Sequence, residues 1–453
     1  MSLFIGKGKL LRSYLILSMC FLFLIQYFAG LTWLGYVVVV IAVLAFITSA
    51  YFSRGFPRII GFIMMGTGIA LEFSKGAGFH GVSEGVLLIL PLLCLVTLSP
   101  MLSMPLKLNG YFQSVESFLQ NLLHHPRKLF FGITSSLFIL SPILNLGSIR
   151  IVSEFLESLK LPSEMSAKSY LIGFSSALMW SPYFASVSLI LYYLNMPVGR
   201  YIIYGMGLSI LSLLIGNLLF YLWSRNHTVS AEGFPVVQLD KTHKWQLLKL
   251  ILFVMILMSS SLAIEYVTKW SMVIIVSMIS VILPLMWGVL TKSWRKLTPL
   301  IKGYRDQSVP MLNNEIMLFM SAGVLAHALQ GTTFANKISE LLIAIAEQSF
   351  LLFAMAIMAL VLLVTYIGIH QIAVIAALAM QLNADELGIS TLSLAMLLLL
   401  TWSISAALSP FSGLNLMVSR LVGMTGVQTG LRTNGVHLLV LAILGISFVM
   451  MVK

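Results

Sequence analysis

The chain is 453 residues long, 59% of them hydrophobic and 9% charged, with a formal net charge of +12 and two cysteines. A soluble protein of this size needs a large charged surface, whereas here apolar segments of roughly 18 to 25 residues recur from end to end with no polar domain between them. The composition specifies an all-α polytopic membrane protein, and the excess of basic residues fits cytoplasmic loops without calling for nucleic acid.

In chain order, the first 28 residues carry a basic and then an apolar profile with no clear cleavage site, which reads as an uncleaved first span at 11–28. Spans follow at 31–51, 57–71 and 83–99, and then Tyr111–Leu123, whose apolar residues fall at helical spacing with Gln113, Glu116 and Gln120 opposite, as in an interfacial helix. A re-entrant hairpin is expected at 128–160, its arms each too short to cross alone. A broken span at 167–195 and a span at 201–223 close a first unit, 29–224. The stretch 225–245 is the most polar of the chain and reads as a cytoplasmic linker.

The same order recurs over 246–453. Spans at 246–264 and 270–290 precede a basic loop, Thr291–Ser308, and a span at 313–329. A second interfacial segment, Phe334–Gln348, leads to a second hairpin at 349–382, a second broken span at 391–423 and a last span at 434–451. Corresponding elements are offset by about 225 residues, the signature of an internal repeat. Each unit has five crossings, an odd number, so the second is inverted relative to the first. With the N-terminus in the cytoplasm, only Lys75, Arg200, Lys269, Lys337 and Lys453 fall outside. This charge bias supports about eleven spans plus two hairpins in the cell membrane.

The polar breaks inside the hairpins and broken spans are where chemistry is expected. Ser141–Phe155 holds Asn145, Ser148 and Arg150 at the first tip, and Val364–Leu378 holds His370 and Gln371 at the second. The broken spans carry Ser181-Pro182 with Ser186, and Ser409-Pro410 with Ser412 and Asn415. Backbone that leaves a helix at membrane depth is tolerated only against protein or a water-filled cavity. Arg150 either clamps an anionic substrate or pairs with Glu154 four residues on. His370 is either a proton-coupling or substrate-binding group or bonds a freed carbonyl, and Asn415 either caps the restarted helix or binds ligand. Hydroxyls beside freed carbonyls at Ser181, Ser186, Ser409 and Ser412 suit a monovalent cation. No phosphate-binding loop, nucleophile elbow or metal-ligand spacing is present, so neither an enzyme nor a cofactor beyond a coupling ion, sodium or proton, is expected.

One extra span, two inverted five-span units, a hairpin before each broken span and an interfacial helix before each hairpin: this order resembles the ion transporter superfamily, most closely its divalent anion:sodium symporters. The resemblance implies tips that bind substrate carboxylate and broken helices that complete two sodium sites. Asn145 matches the first tip motif loosely, while the second tip reads Gly368-Ile369-His370-Gln371 without the family's Ser-Asn-Thr. The expectation is a secondary active transporter of a small anion, working by an elevator motion, with the lipid bilayer as partner and a homodimer compatible with the pattern. The alternatives are a cation/proton antiporter or metalloid exporter of the same superfamily, and a flippase for lipid-linked substrates.

Overall fold

The computed structural model describes residues 2–53, 55–157, 161–226 and 240–452, all of them helix, turn or loop with no strand. Most of the 225–245 linker, Lys160 at the end of the first hairpin, and Lys453 lie outside the described residues. The first helices are α1 (Ser2–Ala29), α2 (Thr32–Phe52), α3 (Phe56–Ser74) and α4 (Gly78–Leu98), the last continuing through a tight turn into α5 (Ser103–Leu108). The interfacial segment is α6 (Tyr111–Asn121) and the first hairpin is α7 (Pro126–Leu144) with α8 (Gly147–Leu156). The first broken span is α9 (Ser163–Ala177) with α10 (Ala185–Tyr193), followed by α11 (Val198–Trp223).

The second part begins with α12 (Lys241–Thr268) and α13 (Met272–Leu290). Next come α14 (Trp294–Gly303), α15 (Asn313–Leu329), α16 (Thr333–Gln348) and the second hairpin, α17 (Phe350–Tyr366) with α18 (Gln371–Gln381). Then follow α19 (Thr391–Leu408), α20 (Gly413–Val422), one turn of π-helix at Gln428–Arg432, and α21 (Thr433–Met450).

Among the described residues nine helices are long and apolar enough to cross a membrane, or ten if the pair 294–311 and 313–329, bent by 57°, counts as one span. Their outer faces are apolar: Tyr36, Val40, Ile47 and Tyr51 of α2 are each more than half exposed, at helical spacing. A belt of this kind belongs against lipid. The chain is a multi-pass membrane protein.

Three local expectations change. The first hairpin arm, α7, runs 19 residues and is apolar enough to cross by length, so it is not the short arm expected. The basic stretch 291–308 is not a loop: Leu297 turns inward against Gly288, and α14 forms with its charges outward. The span expected from 246 starts at Lys241, because Asp240 caps it by accepting from the His243 N–H at 2.8 Å.

The helices pack in two groups. In one, α15 lies against α2, α3 and α4, with α1 beside α2 and α4, and α13 beside α4. Glycines allow the close approach: a Cβ on Gly323 would stand 2.5 Å from Ile89 Cβ, and one on Gly85 2.9 Å from Val324 Cα. At one end of this group Glu72, fully buried, meets His327 Nδ1 at 2.8 Å and Lys75 Nζ at 3.3 Å, joining α3 to α15. In the other group α9 packs on α7, α11, α19 and α20, while α19 packs on α17, α21 and α10. These two interrupted helices are the most enclosed of the fold. The groups meet where α15 touches α18 and where α10 touches α4 and α13.

Replacing Gly323 by Val should force α4 and α15 apart and cost about 1–3 kcal/mol, read as a lower unfolding temperature in detergent. An unchanged temperature would show that the crossing is slack.

Candidate functional site

Proline has no N–H to donate, and where the helices break before Pro182 and Pro410 their last carbonyls lose their partners. Both breaks resolve this in the same way. Ser181 Oγ accepts from the Tyr183 N–H at 3.3 Å, and Ser409 Oγ accepts from the Phe411 N–H at 3.3 Å. The Leu178 carbonyl receives the Ser186 hydroxyl at 2.7 Å, and the Ala406 carbonyl receives the Ser412 hydroxyl at 2.5 Å. The Met179 carbonyl takes the Tyr201 hydroxyl at 2.6 Å. At the second break Asn415 Nδ2 does the corresponding work, donating to Ala407 at 3.0 Å and to Leu408 at 3.4 Å, and also to Gly426 at 3.0 Å. Gly430 leans on this knot so closely that a Cβ there would lie 2.5 Å from Asn415 Nδ2.

The hydroxyls expected to face an ion therefore bond the backbone, and the carbonyls expected to stand free are occupied. Asn415 is both capped and capping: its N–H donates to Ser412 at 3.0 Å, while its Oδ1 is buried without a partner.

At the first tip Asn145 adopts φ 51°, and its Oδ1 accepts from the Leu146 N–H at 2.9 Å. Ser148 is buried, its hydroxyl 2.8 Å from both Ser141 Oγ and the Asn145 carbonyl. At the second tip Gly368 has φ 108°, a conformation open mainly to glycine. His370 caps α18 by accepting from the Ile372 N–H at its Nδ1, 3.3 Å, with its ring edge-on to Phe319. It bonds a backbone N–H, then, and not the freed carbonyl of the alternative reading.

Two openings flank the second break. His370, Gln371, Thr365, Ser409 and Ser412 border a cavity of about 20 Å³, room for one water. Ser409 also ties the break to the second hairpin by donating to the Thr365 carbonyl at 2.8 Å. The second is a cavity of about 740 Å³ between α8, α9, α20 and the start of α15. It reaches from Leu161 and Val422 to Leu146 at the first tip and Gly413 at the second break. Arg150 lines it, 71% exposed and bonded through Nε to Glu154 at 3.0 Å, so pairing with Glu154 and exposure to the cavity occur together. The structure thus gathers His370, Gln371, Ser409 and Ser412 at one small cavity and Arg150 at a larger one. Asn145, Ser148, Ser181, Ser186 and Asn415 line none of the cavities described.

Arg420 and Asn314 escape the sequence reading, whereas Glu315 is legible there as a carboxylate at the start of a span, structural or coupling. Arg420 lines the 740 Å³ cavity, making no ion pair among the described residues. Its position near a helix end had placed it with the loop charges. Asn314 and Glu315 form the opposite wall, with Glu315 Oε2 buried and unpartnered. The signal available was their place in the first turn of α15, where exposed N–H groups draw anions. Among the described residues no group of three His, Cys, Asp or Glu side chains is placed to hold a metal. Comparison of the chain with protein-family models and with curated proteins gives no match.

Ser412→Ala strips the Ala406 carbonyl of its donor and α20 of its cap, and should cost about 1–3 kcal/mol in thermal unfolding. A neutral substitution would mean that water replaces the hydroxyl and that the break is wetter than its packing indicates.

Proposed function

We propose that the chain is a secondary active transporter for a small anionic solute, driven by a proton or sodium gradient and related to the ion transporter superfamily. The observation that carries this reading is the large cavity at the interrupted helices. About 740 Å³ open beside the first tip and the second break, with Arg150 and Arg420 in the wall. A cavity with cationic walls at broken helices is where a transporter of this kind would hold an anion.

An inverted repeat is supported by two hydrogen bonds that join equivalent positions. Ser403 donates to the Ser175 carbonyl at 2.8 Å, 228 residues away, and His437 Nε2 meets the Ser212 carbonyl at 3.1 Å, 225 residues away. Residues separated by the repeat length touch each other only beside a two-fold axis. The proposed units are 29–224 and 246–453, giving eleven spans with the N-terminus and the large cavity cytoplasmic. The group built on α9 and α19 is then the moving body and the group built on α15 the frame. The braces are α6, which lies on α12, and α16, which packs on α17. The cavity wall divides along this line, with the arginines on the moving side and Asn314 and Glu315 on the frame. A cation exchanger is the second reading, favoured by the unpartnered Glu315 oxygen in that wall.

Screening anions against the purified protein should find one that raises its unfolding temperature. A ligand at a hundred times its Kd contributes about 2.7 kcal/mol. The gain should vanish in both Arg150→Gln and Arg420→Gln and survive in Glu315→Gln. Stabilisation by cations that only Glu315→Gln abolishes would select the exchanger instead.

The elevator motion has its own check. Cysteines at Leu318 on α15 and Ile369 at the second tip, cross-linked, should stop uptake of that anion, and reduction should restore it. Uptake through the linked protein would exclude relative movement of the two groups.

A further inference from the structure

The mobile-body reading leaves one buried polar cluster unused. A third cavity, of about 510 Å³, opens between the start of α9, the end of α11 and the π-turn before α21. Glu164, Lys168 and Arg432 line its outer part, and Asn434 and His437 its inner part. Lys168 is held there, 3.9 Å from Glu164 and stacked 4.8 Å over the Trp223 ring. Asn434 and His437 are 1% and 4% exposed, yet each has one polar atom without a partner, Oδ1 and Nδ1.

The bonds these side chains do make fix what the orphan atoms are. Asn434 Nδ2 donates to the Thr429 carbonyl at 2.8 Å, so its free atom is the oxygen, an acceptor. His437 Nε2 meets the Ser212 carbonyl, which can only accept, so Nε2 carries the ring hydrogen and Nδ1 is an acceptor too. Residues 434 and 437 stand i,i+3 on one face of α21, where side chains are neighbours. Each residue therefore presents a buried acceptor on that face, and a proton added at Nδ1 would turn one of the two into a donor. At His370 the equivalent nitrogen already accepts from the Ile372 N–H, so a proton there would break a helix cap.

We propose that this cavity is a proton port, and that His437, with Asn434 Oδ1 as the acceptor for its added proton, is a protonatable site. A buried charge is tolerated where water reaches it, and the cavity brings that space, while the Glu164 carboxylate, 3.9 Å from Lys168, offsets that lysine's charge. The charged groups bordering the site are Glu164 and Lys168 on α9 and Arg432 in the π-turn; α19 carries no charged residue, and the only charge on α11 is Arg200 in its first turn. The step is a transfer of H⁺ from cavity water to Nδ1, with Nε2–H kept on Ser212. If the transport reading holds, this proton is the coupling ion. The site itself does not depend on that reading.

The test is a titration of the resting protein. Wild type labelled with ¹⁵N in its histidine rings, in bilayers, should show by solid-state NMR, among the signals of its eight histidines, one from a buried Nε2–H neutral ring at pH 8 that becomes doubly protonated as the pH is lowered. That signal should be missing from His437→Gln and present in His370→Gln. Asn434→Leu should move its midpoint down by about one pH unit and Asn434→Asp should move it up. The two Asn434 variants identify the resonance even if His437→Gln does not fold. A resonance that stays neutral throughout, or a midpoint indifferent to both Asn434 changes, overturns the proposal. Proton titration without any stabilising anion would leave the port standing and remove the transporter.

Discussion

The structure depends on satisfying the backbone where α9 and α19 are interrupted. These are the most enclosed helices of the fold, and each ends before a Ser-Pro pair in surroundings where an unpaired carbonyl costs about as much as a lost hydrogen bond. Every nearby element contributes to the solution. Tyr201 comes from α11, Asn415 and Ser412 come from the restart at α20, and Gly426 and Gly430 let the chain before α21 lie against the break. The second hairpin is held by its carbonyl at Thr365. A break so fully bonded is a rigid object.

Much of the helix pattern is legible from hydropathy because lipid and core both demand apolar runs of fixed length. The span at 313–329 is found to the residue, and the interfacial segments at 111 and 334 to within a few. Departures have physical causes. Helix ends follow capping groups such as Asp240, Thr332 and Ser390, which act beyond the apolar run. Charge in 291–308 masked an amphipathic helix whose single buried anchor is Leu297. The length of α7 was obscured by the polar Thr134, Ser135, Ser136 and Ser141 within it; all but the half-buried Ser135 lie against protein.

The site was legible in location more than in role. The Ser-Pro pairs do mark the interruptions, yet sequence cannot tell whether a hydroxyl faces a ligand or bonds its own backbone, since both uses favour the same residues at the same spacing. Here all four named serines bond the backbone. Arg420 and His437 were invisible for the opposite reason. Each is a lone polar residue with no motif around it, and only the packing of distant helices brings Arg420 into a cavity with Arg150 and His437 against Ser212.

The two faces of the second break also constrain how a solute and an ion could be coupled. Break, π-turn and α21 form a continuous bonded path: Asn415 holds Gly426, Asn434 holds Thr429, and His437 holds Ser212. One end of the path borders the cavity with the arginines through Gly413, and the other ends beside the cavity with Lys168. A turn of π-helix, a geometry rare outside functional sites, lies in the middle of this path. Coupling of this kind needs no contact between solute and ion. It needs only that the bonds on either side of Gln428–Arg432 differ between the two occupied states.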